Sequence, residues 1–83
     1  MMIHICVIEY VSSVGKCRGG DNPENNAGAV TYSDSNCFSR CFQNSSSTGY
    51  NVPVSGDKWC ETITSVGATG DGRPPFQCFM KGD

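Results

Sequence analysis

Leucine is missing altogether from these 83 residues, and isoleucine, valine and phenylalanine together number only 15. A chain this short buries roughly 60–65% of its unfolded surface, so burial alone holds such a core weakly. Charge is scarce as well, at 17% of residues with a net of −2. Low hydrophobicity keeps a chain open when charge repulsion adds to it, and here that second condition fails. There is no basic excess to draw in nucleic acid. No apolar run reaches the length of a membrane span, and there is no room for the core of a large enzyme. Histidine occurs once, at His4.

What the chain does have is cysteine. Six cysteines, at positions 6, 17, 37, 41, 60 and 78, make an even count in a short chain, which reads as a framework of three disulfides. Zinc would need close ligand pairs such as C-x2-C, whereas the tightest pair here is Cys37 and Cys41, so no metal and no cofactor is expected. Disulfides belong to oxidising compartments, which makes a secreted, extracellular protein the natural reading. The sequon Asn44-Ser45-Ser46 fits that setting as a glycosylation acceptor. The apolar start, Met1 to Val11, has no basic region and is interrupted by Glu9, unlike a signal peptide. A mature domain, with Met1 as an added start codon, explains it better.

Strand-forming residues outnumber helix formers, 24 (Val, Ile, Thr, Phe, Tyr, Trp) against 17 (Ala, Leu, Glu, Lys, Gln, Met, Arg). Gly, Pro, Ser, Asn and Asp supply 35 turn-prone residues. The fold class that follows is α+β: a small, disulfide-rich antiparallel sheet with one short helix, forming a single domain over 1–83. Strands are expected at 3–11, 29–32, 50–54, 59–66 and 76–80, with Pro53 confining its strand to an edge. Residues 12–28 and 67–75 read as loops. The helix is placed at 34–43, capped by Ser33, Asp34 or Ser35. Its Cys37, Phe38, Cys41 and Phe42 recur at helical spacing, which sets two thiols and two rings on one face. Both thiols would then face the sheet. Cys37–Cys60 with Cys41–Cys78, or Cys37–Cys78 with Cys41–Cys60, satisfies that geometry equally, and Cys6 would pair locally with Cys17.

In size, six cysteines, Ser/Gly/Asn-rich loops and a β-rich pattern with one helix, the chain resembles the fungal and oomycete small secreted cysteine-rich proteins. That group includes virulence effectors and killer toxins. The resemblance spans the whole chain and carries over no site residues. The leading expectation is a secreted, non-enzymatic, effector- or toxin-like protein that binds a protein or glycan partner outside the producing cell, and the lack of basic excess leaves no role for nucleic acid.

Candidate sites follow from residue chemistry. Tyr10, Tyr32, Tyr50, Trp59 and Phe76 have ring faces that suit the apolar side of a sugar, although a leucine-free domain also needs rings for its core. Tyr50, after Gly49, is the best candidate for an exposed binding ring, with Trp59 second. A glycan-binding module is therefore the alternative function. A ribonuclease-like hydrolase is the third, resting on His4 with an acid such as Glu9, and would need a cationic group beside the phosphate. Lys81-Gly82-Asp83 matches an integrin-binding tripeptide but has no loop to hold it. Asp21, Asp57 and Asp71 neighbour glycines without forming a calcium-loop pattern.

Overall fold

The computed structural model describes residues 10–82. Seven strands and two short helical segments follow one another: β1 (Tyr10–Val14), β2 (Cys17–Arg18), α1 (Asn25–Gly28), β3 (Val30–Tyr32), α2 (Cys37–Gln43), β4 (Gly49–Pro53), β5 (Cys60–Ile63), β6 (Thr69–Gly70) and β7 (Phe76–Lys81). Five strands form an antiparallel sheet in the order β1-β7-β4-β5-β3, and β2 pairs with β6 in a second, two-stranded sheet. The α+β class read from the sequence is the class observed. No helix among the described residues is long and apolar enough to cross a membrane.

Side chains alternate across a strand, so the register sorts the large sheet into two faces. Tyr50 pairs with Phe79 and with Thr62, while Asn51 pairs with Cys78 and Glu61. Tyr10, Tyr50, Cys60 and Phe79 thus share the face that α2 covers, where they meet Cys37 and Cys41. Ile63 and Cys78 share the other face, packed against Cys17, Ala27 and Ala68 from the small sheet and its loops. Each face carries one disulfide: Cys37–Cys60 under the helix, and Cys17–Cys78 beneath the small sheet.

The pairing of Cys6 with Cys17 is overturned, because Cys17 is bonded to Cys78. The reason is parity. Cys60 and Cys78 project to opposite faces, so a helix on one face reaches only the first of them. Cys37–Cys60 is one of the two helix bridges that spacing left open, and its expected companion, Cys41–Cys78, does not form. Cys6 itself lies outside the described residues.

Other boundaries moved for local reasons. The helix begins at Cys37 rather than at 34, since the Asp34 carboxylate is engaged earlier: it accepts from the Asn36 backbone N–H at 2.9 Å and from the Arg40 guanidinium. Both helix thiols are fully buried, but Phe38 remains 51% exposed. Pro53 sits in an interior strand instead of an edge. The Val54 N–H reaches β7, donating to the Pro75 carbonyl at 2.6 Å, so the N–H that Pro53 lacks would have pointed toward β5. Pairing with β5 ends at Asn51, and no ladder bond is lost. The expected loops contain β2, β6 and α1, a turn in which Asn26 and the buried Ala27 both hold left-handed dihedrals. The first expected strand is seen from Tyr10 onward, and its earlier part lies outside the described residues.

Candidate functional site

Because β5 and β7 run in the same direction, with β4 antiparallel between them, their first residues lie at the same end of the sheet. Trp59 immediately precedes β5 and Phe76 opens β7. Their rings stand 5.5 Å apart, tilted by 59°, and both are half-buried. β1 ends there too, and Lys16 just beyond it lays its ammonium 4.8 Å from the Phe76 ring and 5.2 Å from the Trp59 ring. An ammonium over an aromatic face gains about 0.5–1 kcal/mol at a partly exposed site. Asp71 fixes the Lys16 backbone: its carboxylate accepts from the Lys16 N–H at 3.1 Å and its own N–H donates to the Lys16 carbonyl at 3.0 Å. The result is a patch of two partly open rings and a cation, assembled from three strand ends.

Trp59 was read as a binding candidate and stands in this patch. Tyr50, read as an exposed ring, is corrected: it is 8% exposed, inside β4 rather than in a loop. Its ring stacks on Phe79 at 5.0 Å and meets Tyr10 edge-on at 5.2 Å. Strand β4 begins at Gly49 because only a residue without Cβ fits there, a Cβ falling 2.6 Å from the Phe79 carbonyl oxygen. Tyr50 is thereby carried into the sheet, and no ring face is left open to a ligand. Tyr32 lies beneath the Arg40 guanidinium at 4.0 Å. That guanidinium pairs with both Asp34 oxygens and, with the Asn36 N–H, holds the Asp34 carboxyl down at about 2.

Beneath α2, Tyr10 packs against the cluster that holds Cys41 and Tyr50, and its buried hydroxyl has no hydrogen-bond partner among the described residues. Burial pushes both the Tyr10 phenol and the Cys41 thiol up. A buried thiol held protonated is a poor nucleophile.

Asn44 follows α2 in an exposed turn, its side-chain oxygen accepting from the Ser46 N–H at 3.0 Å. His4 and Glu9 lie outside the described residues. Among the described residues no group of three His, Cys, Asp or Glu is placed to hold a metal.

Sequence reasoning missed the polar group that docks the small sheet. Asn51, fully buried, accepts from the Cys17 N–H at 3.0 Å and donates to Glu61 Oε1 at 3.2 Å. Arg18 Nη2 donates to the same oxygen at 3.2 Å and its Nη1 to the Cys17 carbonyl at 2.8 Å. The available signal was Asn51 itself, a lone amide within an apolar strand. Lys16 was missed because its ring contacts arise only once β1 pairs with β7.

No known protein family, characterised protein or solved structure shows a significant match to this chain.

Proposed function

We propose that this is a secreted, effector- or toxin-like interaction domain that works by binding a partner outside the cell that makes it. The observation that carries the reading is the Lys16–Trp59–Phe76 patch. Aromatic side chains at interfaces provide much contact area for little ordering, and this pair is half-open at the end of a disulfide-held sheet. The two bridges support an oxidising, extracellular setting.

The test is saturable binding of labelled protein to intact candidate target cells. Trp59→Ala should weaken it at least about tenfold while the circular dichroism spectrum stays unchanged. Undiminished binding by folded Trp59→Ala would remove the patch from the function. A glycan-binding module is the second reading, favoured by the same ring pair. Binding to an oligosaccharide array that Trp59→Ala abolishes would establish it over a protein partner.

A further inference from the structure

We propose that the Lys16–Trp59–Phe76 patch takes a carboxylated polysaccharide, a polymer of uronic acid units, by ring-face contact and ion pairing together. The inference rests on the patch being the binding surface and adds the chemistry of its ligand.

The cations of the molecule divide by what they already hold. Arg18 pairs with Glu61, and Arg40 pairs with Asp34. Lys81 Nζ donates to the Asn44 carbonyl at 3.0 Å. Lys16, Lys58 and Arg73 form no ion pair among the described residues, and all three belong to the end of the sheet where the two rings stand. Lys58 adjoins Trp59 in sequence, and both Lys58 and Arg73 are exposed. Arg73 opens the turn into β7, its carbonyl accepting from the Phe76 N–H at 3.4 Å.

The acids at this end are engaged by other groups. The Arg73 N–H donates to Asp71 Oδ1 at 3.1 Å, and the same oxygen accepts from the Lys16 N–H. One carboxylate thus ties together the backbones that carry two of the cations, without pairing with either cationic head. Asp57 accepts from the Ser55 hydroxyl at 3.2 Å. A chain of net negative charge therefore presents a local positive group, which attracts anions.

Lys16 decides which anion fits. Its ammonium rests 4.8 Å and 5.2 Å from the two ring centres, so an anion that reaches it also meets aromatic surface. A uronic acid carries both complements on one rigid ring: an apolar face for the aromatic pair and a carboxylate for the ammonium. An acidic peptide instead carries its carboxylates and apolar groups on separate rotatable side chains, each of which loses freedom when fixed. A neutral sugar would leave the three cations unused. In a polymer the carboxylate repeats, and neighbouring units then meet Lys58 and Arg73.

Calorimetric titration of the intact protein with polygalacturonate, dextran and poly-glutamate tests the assignment. The expected result is saturable binding to polygalacturonate that weakens as salt rises, with none to dextran. Poly-glutamate, which lacks the ring face, should bind about tenfold more weakly. Lys16→Gln should weaken polygalacturonate binding about fivefold, and Lys58→Gln or Arg73→Gln about twofold each, with unchanged circular dichroism. Absence of polygalacturonate binding would overturn the proposal, as would equal binding to poly-glutamate or full binding by folded Lys16→Gln. If Trp59→Ala abolishes attachment to cells while polygalacturonate is ignored, the patch keeps its role and only this ligand is wrong. Attachment that survives Trp59→Ala removes the patch and this proposal with it.

Discussion

The two faces of the large sheet are built on opposite principles. Under α2, the space is filled by volume: Tyr10, Tyr50 and Phe79 stack and cross at 5.0–6.5 Å, and one bridge ties the helix down. On the other face the packing residues are fewer and mostly small, with Ala27, Ala68 and Ile63 clustered around the Cys17–Cys78 bridge. There the backbone itself must approach, so hydrogen bonds made by Asn51 and Ser65 and accepted by Glu61 replace ring contacts. A ring-filled layer depends on area and tolerates adjustment. A layer of close-set backbones depends on exact partners, because each buried polar group left unpaired is penalised.

The bridges give the largest contrast. Replacing both Cys17 and Cys78 with serine should lower stability by about 4 kcal/mol, since that bond closes a 61-residue separation. The same change at Cys37 and Cys60, separated by 23, should lose about 3 kcal/mol. Urea denaturation measures both, and a reversed order would mean that strain or residual unfolded structure outweighs loop closure. Next comes Asn51→Leu, which leaves the Cys17 N–H and the Glu61 carboxylate short of a partner and should lower stability by about 2–3 kcal/mol. A loss below that range in the same assay would show that the amide is replaceable by volume.

Gly20→Ala probes the backbone approach alone. Gly20 has φ +78°, and an added Cβ would fall 2.6 Å from the Val66 carbonyl oxygen. Its loss should be about 1–2 kcal/mol, well above that of Phe38→Leu on the half-exposed helix rim. Alkaline pH should act on the ring-filled face. Burial raises the Tyr10 and Tyr50 phenols, so they stay protonated in the fold after their unfolded counterparts have begun to ionise at 10.0. Stability is therefore complete below pH 10.0 and falls above it. Tyr10→Phe should flatten that decline in thermal melts recorded across the alkaline range. The smallest effect belongs to the exposed Asp34–Arg40 pair. Its contribution is present above pH 3.8 and fades as pH falls toward about 2. Asp34→Asn should remove that fading and otherwise leave the melt nearly unchanged.

What was legible in the sequence follows the range of the interactions. The Cys37/Cys41 spacing, one helical turn, announced both the helix and its buried thiols. Val30–Tyr32 and Phe76–Lys81 carried their own strand propensity. By contrast, β2 and β6 are two residues long and exist only through each other, 53 residues apart at the Cys17–Gly70 pair and so beyond any local signal. The Cys17–Cys78 bond was hidden for a related reason. Sending Cys78 away from Cys60 is a property of register, which pairing with Tyr50 and Asn51 decides. Trp59 and Phe76 were both visible as candidate rings, but their meeting with each other and with Lys16 was not, because only the convergence of three strand ends brings them together.

Strand β7 also has a consequence for how the molecule is made. It lies between β1 and β4 and carries the sulfur that Cys17 needs. A ribosome delivers residues 76–81 after Cys17, Cys37, Cys41 and Cys60 have all emerged. Early oxidation can therefore join only non-native partners to Cys17, and the neighbours of β7 wait unpaired in the meantime. Any bond that Cys17 forms before then must be exchanged for Cys78 after translation. The yield of this domain should depend on a disulfide isomerase more than on the speed of the oxidant.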